Sequence, residues 1–324
     1  MDTLQHGRYS VHYELAGPDH GPTIVLVNGL TQYSALWTPY RSALAEHGYR
    51  VISFDLLGQG QSDKPSLFIE QDDQVAILRE LIDAIGRPPV FLAGISFGGI
   101  IALRYAIEHG ATLAGLVAMS TFAELSPQLQ LIGNALRNGL ILGGIEYLQD
   151  LLLPMNVSDA WLNDRLDQLD EIKRPGWLVN DLYALQNLME SFLDFQPLTP
   201  RLGEIGVPTM ILNGEFDFLT PRSLHETLRT HIPHSALVIV PRGYHAFTLE
   251  QPRLTAWLLA RFAQDVLGGS WEGGGSIWLA PAQEGGTLIR FPSGFDHLRA
   301  VPMRTGQHSA GAKRAPTGAK RPHK

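Results

Sequence analysis

The segment Val90-Phe91-Leu92-Ala93-Gly94-Ile95-Ser96-Phe97-Gly98-Gly99 sets a serine between two glycines, one two residues before it and one two residues after. A serine hydroxyl becomes a competent nucleophile when a neighbouring base takes its proton. The glycines matter because a serine lifted onto a sharp strand-to-helix turn has a strained backbone, and its neighbours two residues away must be small. The apolar run before Ser96 reads as a strand and the segment after it as an apolar helix, which is the setting this pattern requires. In such a turn the N–H of Phe97 points at the carbonyl that Ser96 would attack. A glycine-rich turn with an incidental serine is the plainer alternative, and the flanking strand and helix argue against it.

A base and an acid to orient it are then needed. Chains with this motif carry them in the order Ser, Asp or Glu, His. Asp217 follows a strand in the run Met210 to Pro221, and His245 follows the next strand in the run Val240 to Glu250. Both fall in loops at the carboxyl ends of parallel strands, the edge where open α/β sheets hold ligands. Most of the twelve histidines are expected on the surface or in packing, so it is position that singles out His245. Asp217 could serve only as a helix cap. Glu215 and Glu124 are the alternative acids, and Asp217 is preferred to both.

An oxyanion hole needs a second N–H beside that of Phe97. Chains of this kind take it from the loop after the first core strand, here Leu26 to Thr31. Gly29 permits the turn and Leu30 supplies the donor. Asn28 is either a turn former or a residue whose amide braces the loop or touches substrate, so Asn28 and Gly29 are the expected substrate-binding residues. The glycine-rich run Phe54 to Asp63 lacks the Gly-Lys-Ser/Thr ending of a phosphate loop and the spacing of a dinucleotide site. Asp55 within it reads as structural.

Behind these loops must stand the elements that position them. Thr23–Val27, Arg50–Phe54, Val90–Ile95 and Leu113–Met119 are short apolar runs suited to strands buried on both faces. Helical segments at Ser34–His47, Ile69–Ile85 and Phe97–His109 alternate with them. Tyr9–Leu15 alternates and predicts an antiparallel edge strand. Alternation stops between Thr121 and Gly206, a stretch that reads as helices broken at Pro127, Gly143-Gly144, Pro154 and Pro175-Gly176. It resumes with strands Thr209–Asn213 and Ala236–Pro241 and helices Pro221–His231 and Gln251–Leu267. The fold expected is α/β: a doubly wound, mostly parallel sheet with a helical cap insertion. Residues 1–121 and 207–268 form the core and 122–206 the cap; 269–303 is a linker with a small appended segment, whose strand-like pieces Ile277–Leu279 and Thr287–Phe291 are expected to pack on the main domain as a hairpin, and 304–324 a basic disordered tail.

Composition bounds the rest. The tail holds six Lys and Arg and no acid, leaving 19 basic and 32 acidic residues in the body, a balance unsuited to nucleic acid. No run reaches the roughly 20 apolar residues of a membrane-spanning helix. The start has no signal-like apolar run, and there is no cysteine to form a disulfide or a thiolate metal site. A cytoplasmic location, and chemistry without metal or organic cofactor, are expected.

Asn28-Gly29, the run Asp55 to Ser62, Gly94 to Gly99, Asn213 to Asp217 and His245 with Glu250 together resemble the α/β-hydrolase superfamily from about Arg8 to Leu267. The resemblance implies a serine enzyme that cleaves a carboxylic ester or thioester through an acyl-enzyme on Ser96. Its expected partner is a small-molecule acyl substrate. Asn28-Gly29 stands where most members carry His-Gly. That variant, with Asn213-Gly214 and the double glycine after Ser96, is similar to synthases of the 3-hydroxyacyl precursor of rhamnolipids and to 3-hydroxyacyl-carrier-protein transacylases. It implies as an alternative an acyltransferase on 3-hydroxyacyl thioesters. A non-catalytic binding protein of the same fold is a further alternative, disfavoured by the intact Ser96, Asp217 and His245. The cap is rich in large apolar residues, among them Leu151 to Leu153, Met155, Trp161, Trp177, Tyr183, Met189, Phe192 and Phe195. They either line an acyl pocket or pack the cap onto the core.

Overall fold

In a computed structural model of the chain, which describes residues 2–66 and 68–291, ten strands build one sheet. They are β1 (Asp2–His6), β2 (Tyr9–Ala16), β3 (Thr23–Val27), β4 (Arg50–Phe54), β5 (Val90–Ile95), β6 (Leu113–Met119), β7 (Thr209–Gly214), β8 (Ser235–Val240), β9 (Ser276–Leu279) and β10 (Ile289–Arg290). Their order across the sheet is β1-β2-β4-β3-β5-β6-β7-β8-β9-β10. From β4 to β9 all neighbours are parallel; β1, β2 and β10 pair antiparallel. Every residue of β3, β4, β5, β7 and β8 is buried, because parallel strands joined by crossing helices are covered on both faces.

The core helices are α1 (Thr38–Glu46), α2 (Gln71–Leu81) and α3 (Phe97–His109). The insertion supplies α4 (Pro127–Asn156), α5 (Asp159–Asn163), α6 (Leu169–Val179) and α7 (Leu182–Glu190). The core then closes with α8 (Arg222–His231), α9 (Phe247–Glu250) and α10 (Pro252–Leu267). Trp37, Tyr40 and Leu44, at and before α1, pack with Phe247, Leu258 and Phe262 over one face of the sheet, on Ile24, Leu26, Phe91 and Met119. The alternate strand residues, such as Val25, Val27 and Leu92, are equally buried and face the other side, where α3 lies against β3, β5 and β6. Burying each such side chain contributes about 1.5–3 kcal/mol.

The chain winds outward from β3 to β4, then returns to place β5 on the other flank of β3. Loops leaving β3 and β5 therefore part from neighbouring strands at one edge, a crevice that the winding creates.

Several elements differ from expectation. Tyr9–Leu15 lies within an antiparallel strand, but β1 pairs outside it, so it is not the edge. The polar sequence of β1 carries no strand signal; Gly7 at φ 57° makes the tight turn that folds it back on β2. The Gly143-Gly144 break is a kink within α4, with Gly144 at φ 77°. Pro154 and Pro175 stay inside α4 and α6. By contrast, the strand-like pieces of the appended segment do pack on the main domain: residues 276–279 add a parallel strand to β8, with β10 returning antiparallel beside it. The remainder of that segment from 292, and the basic tail at 304–324, lie outside the described residues.

Candidate active site

Ser96 follows β5 and precedes α3, with φ 53° and ψ −118°, a conformation that side chains rarely adopt. Its N–H donates to Met119 O of the neighbouring β6 at 2.9 Å, and the N–H groups of Gly99 and Ile100 return to Ser96 O. Such a turn leaves no room for side chains nearby. A Cβ on Gly94 would sit 2.2 Å from Gly98 O, and one on Gly98 would sit 2.4 Å from Asn28 O. A Cβ on Gly99 would meet Thr121, whose hydroxyl donates to Ser96 O at 2.8 Å. All three glycines are thus required by close approach of backbone to backbone or to Thr121.

His245 comes from the loop after β8. Its Nε2 lies 3.1 Å from Ser96 Oγ, and its Nδ1 lies 3.1 Å from both carboxylate oxygens of Asp217. A carboxylate can only accept, so Nδ1 carries the proton and Nε2 is free to accept from the serine. Gly214 lets these loops meet: a Cβ there would fall 2.5 Å from Tyr244 O, and Phe216 N–H donates to Gly243 O at 2.8 Å. Asn213 donates to Thr220 O at 3.2 Å, and Thr220 in turn gives Asp217 its N–H at 2.8 Å and its hydroxyl at 2.7 Å. Burial works against the Asp217 charge, yet the facing His245 and these donors outweigh it and hold the carboxyl down at about 2. Ser120, with φ 42°, clamps the other side of the histidine by donating to His245 O at 2.9 Å.

The N–H groups of Leu30 and Phe97 have no acceptor among the described residues, and both residues line the cavity that holds Ser96 and His245. Their neighbours are occupied. Gly29 N–H donates to Gln32 Oε1 at 2.8 Å, and Thr31 N–H donates to Gln59 Oε1. Gln59 also donates to Gly29 O at 3.2 Å. The loop is thereby held with Leu30 N–H left over. Gln32 and Gln59 escaped the sequence reading; Gln59 stood in a quoted motif, but only the fold brings that loop beside Gly29.

Asn28 is corrected from a substrate-binding residue to a brace. Fully buried, it donates to Phe54 O at 2.8 Å and accepts from Trp37 Nε1 at 2.5 Å. Gly29 does line the cavity. Asp55 is buried and structural, accepting from Ser34 N–H at 2.5 Å and Gln61 N–H at 2.7 Å. Of the alternative acids, Glu215 accepts from Arg242 N–H and Glu124 from Thr199, and neither is bonded to His245.

The cavity measures about 700 Å³ and extends from Ser96 under the cap. Leu129, Leu136, Met189, Phe192 and Phe195 line it, with Phe122 from the segment between β6 and α4. Phe192 stacks edgewise on Phe97 with centroids 5.5 Å apart, joining the wall to the residue after the serine. Of the cap residues singled out in the sequence, Leu152, Met189, Phe192 and Phe195 reach this cavity. Trp161 instead packs on Val157 and Ala246, and Tyr183 is exposed. No group of three or more His, Asp or Glu able to hold a metal occurs among the described residues, and none of their helices is long and apolar enough to cross a membrane.

A doubly wound sheet with a serine on the turn after its central strand, hydrogen-bonded to a histidine and a buried aspartate, defines a class of α/β protein built around a candidate nucleophile. The alpha/beta hydrolase fold family matches residues 22–252, and the chain belongs to it. A protein of Pantoea ananatis provisionally named carbamate hydrolase RutD is 28% identical over 252 residues, covering 75% of this chain and 89% of its own. MGS-M2, an alpha/beta hydrolase enzyme from a Medee basin deep-sea metagenome library, superposes with a TM-score of 0.73 at 24% identity, covering 81% of this chain and 96% of its own. A membrane phospholipase A described as a bacterial virulence factor gives 0.71 at 26% identity, covering 82% and 86%. Relatives named for hydrolysis of different bonds support α/β-hydrolase activity in general.

Proposed function

We propose that this protein is a serine hydrolase that cleaves a carboxylic ester or thioester with a hydrophobic acyl group, through an acyl-enzyme on Ser96. The observation that carries the reading is the pair of 3.1 Å contacts, Ser96 Oγ to His245 Nε2 and His245 Nδ1 to Asp217. Ser96 attacks the acyl carbon as its proton passes to His245, and Asp217 stabilises the imidazolium that forms. The Leu30 and Phe97 N–H groups hold the oxyanion; losing one such donor typically slows turnover about 10²–10³-fold. His245 then gives its proton to the departing alcohol or thiol, and water deacylates the enzyme by the reverse steps. The acyl chain lies along the Leu, Met and Phe side chains of the large cavity under α4 and α7. The acyltransferase alternative rests on the resemblance carried by Asn28-Gly29, Asn213-Gly214 and the double glycine after Ser96, and on the apolar cap; Asn28 and Asn213 are both engaged in bracing contacts. Water is the acceptor in this reading, and the reaction products distinguish it from an alcohol or thiol.

The test offers 4-nitrophenyl esters from acetyl to dodecanoyl, and a 3-hydroxyacyl thioester, to the protein and to Ser96→Ala, with products followed by mass spectrometry. Free acid released only with Ser96 present, faster for medium chains than for acetyl, is the expected result. A transferred acyl group or dimeric ester as the main product would replace hydrolase by acyltransferase. Failure of Ser96 to react with a fluorophosphonate in folded protein would return the binding-protein alternative.

A further inference from the structure

A second chamber of about 150 Å³ adjoins the large cavity. Thr31, Gln32, Leu152, Asn156 and Ala246 line both, so the two meet beside the oxyanion loop and the residue after His245. Both walls are mixed: the large cavity carries Glu124, Gln130, Asn134 and Arg137 among its apolar residues, and the small chamber carries Gln149 and Lys173. Lys173 is engaged by Asp150 and Asp170, and Gln32 Oε1 by Gly29 N–H. Two acceptors are left over: the buried oxygens Gln149 Oε1 and Asn156 Oδ1 have no hydrogen-bond partner among the described residues. A buried acceptor without a donor is costly, so such atoms mark where a donor is to come from. Asn156 is anchored to the base loop, since its backbone carbonyl accepts from Ala246 N–H at 2.8 Å.

We propose that this chamber holds the alcohol half of the substrate and selects a small alcohol bearing further hydroxyls, which donate to Asn156 and Gln149. The inference rests on the serine-hydrolase reading and assigns the two halves of its substrate. As Ser96 Oγ bonds to the acyl carbon, the bond from that carbon to the alcohol oxygen breaks, and the proton on His245 Nε2 passes to that oxygen. The departing alcohol must therefore lie on the His245 side, where Ala246 and Asn156 form the shared wall. The chamber has room for about five water-sized groups. A glyceryl group beyond its ester oxygen, three carbons and two hydroxyls, is of that size.

The experiment compares kcat/KM for 1-glyceryl octanoate and propyl octanoate, which share the acyl chain and a three-carbon alcohol and differ in two hydroxyls. The glyceryl ester is expected to lead by about tenfold or more, the effect of one or two neutral hydrogen bonds. Asn156→Leu and Gln149→Leu should each move that ratio toward one. The wild-type ratio stands by itself should either variant fail to fold. Equal Ser96-dependent turnover of both esters overturns the chamber assignment and leaves the hydrolase reading intact. A preference that survives both substitutions also overturns the assignment. Absence of Ser96-dependent turnover of either ester overturns the hydrolase reading, and this inference with it.

Discussion

Asp217 keeps its charge inside the protein because Thr220 and His245 together supply donors to both of its oxygens. In Asp217→Asn the amide offers one acceptor and one donor, and the proton on His245 is no longer held at Nδ1. The expected outcome is a fall in kcat of about 10³–10⁴-fold with little change in KM, read by steady-state kinetics. A second buried group acts on stability. His225 is fully buried; its Nε2 accepts from Thr121 N–H at 3.1 Å and its Nδ1 faces Pro221 O at 3.3 Å. Burial pushes its pKa down to about 4, against the pull of Asp217 and Glu226. Its folded pKa lies below the unfolded value of 6.5, so between pH 6.5 and 4 the unfolded chain binds the extra proton. Stability should therefore fall by about 3 kcal/mol as pH drops through that window. Asp217 adds a further loss only below its unfolded value of 3.8, as pH approaches about 2. His225→Gln, which keeps an acceptor without the titration, should flatten the pH 6.5–4 slope in urea unfolding.

At the scale of elements, a cap side chain ties the insertion to the oxyanion loop. Asn180, between α6 and α7, donates to Thr31 O and to Gly176 O at 3.0 Å each, and accepts from Gly60 N–H at 3.2 Å. Thr31 holds φ 67° directly after the proposed donor Leu30. Asn180→Leu should thus loosen the oxyanion loop, lowering kcat by about tenfold, less than the loss of a whole donor. It should change KM little and lower the rate of fluorophosphonate labelling of Ser96 in parallel. An effect confined to thermal stability would make Asn180 a structural tie only. This link was not legible in the sequence, because Asn180, Thr31 and Gly60 are distant in the chain and each alone reads as an ordinary loop residue. Ser96, His245 and Asp217 are as distant, but each sits in a local pattern whose strand and turn can be read without its partners.

At the scale of the molecule, β9 closes the far side of the parallel sheet. Ile277 is 1% exposed and Ala280 2%, and Gly273 approaches His234 so closely that a Cβ would lie 2.7 Å from its carbonyl. A chain ended after Gly268 would bare the edge of β8 and its apolar surface. Such a truncation should lose about 3 kcal/mol or more in urea unfolding and gain light scattering on warming.

Local chemistry was enough, from the sequence alone, for the buried strands, the serine turn, the order of the three polar residues and the helical insertion. Each of these depends on spacing, on glycines that a turn demands, or on continuous apolar runs, all properties of neighbouring residues. Tertiary structure decided the rest. Only the winding of the sheet brings the Leu30 loop beside Ser96, so only there could Asn28 be found facing Trp37 and Phe54, away from the cavity. β1 became a strand because an exposed edge offered it hydrogen bonds, although it carries no pattern of its own. Which cap residues line the cavity was likewise settled by packing, since an apolar side chain reads the same whether it meets a neighbour or an empty space.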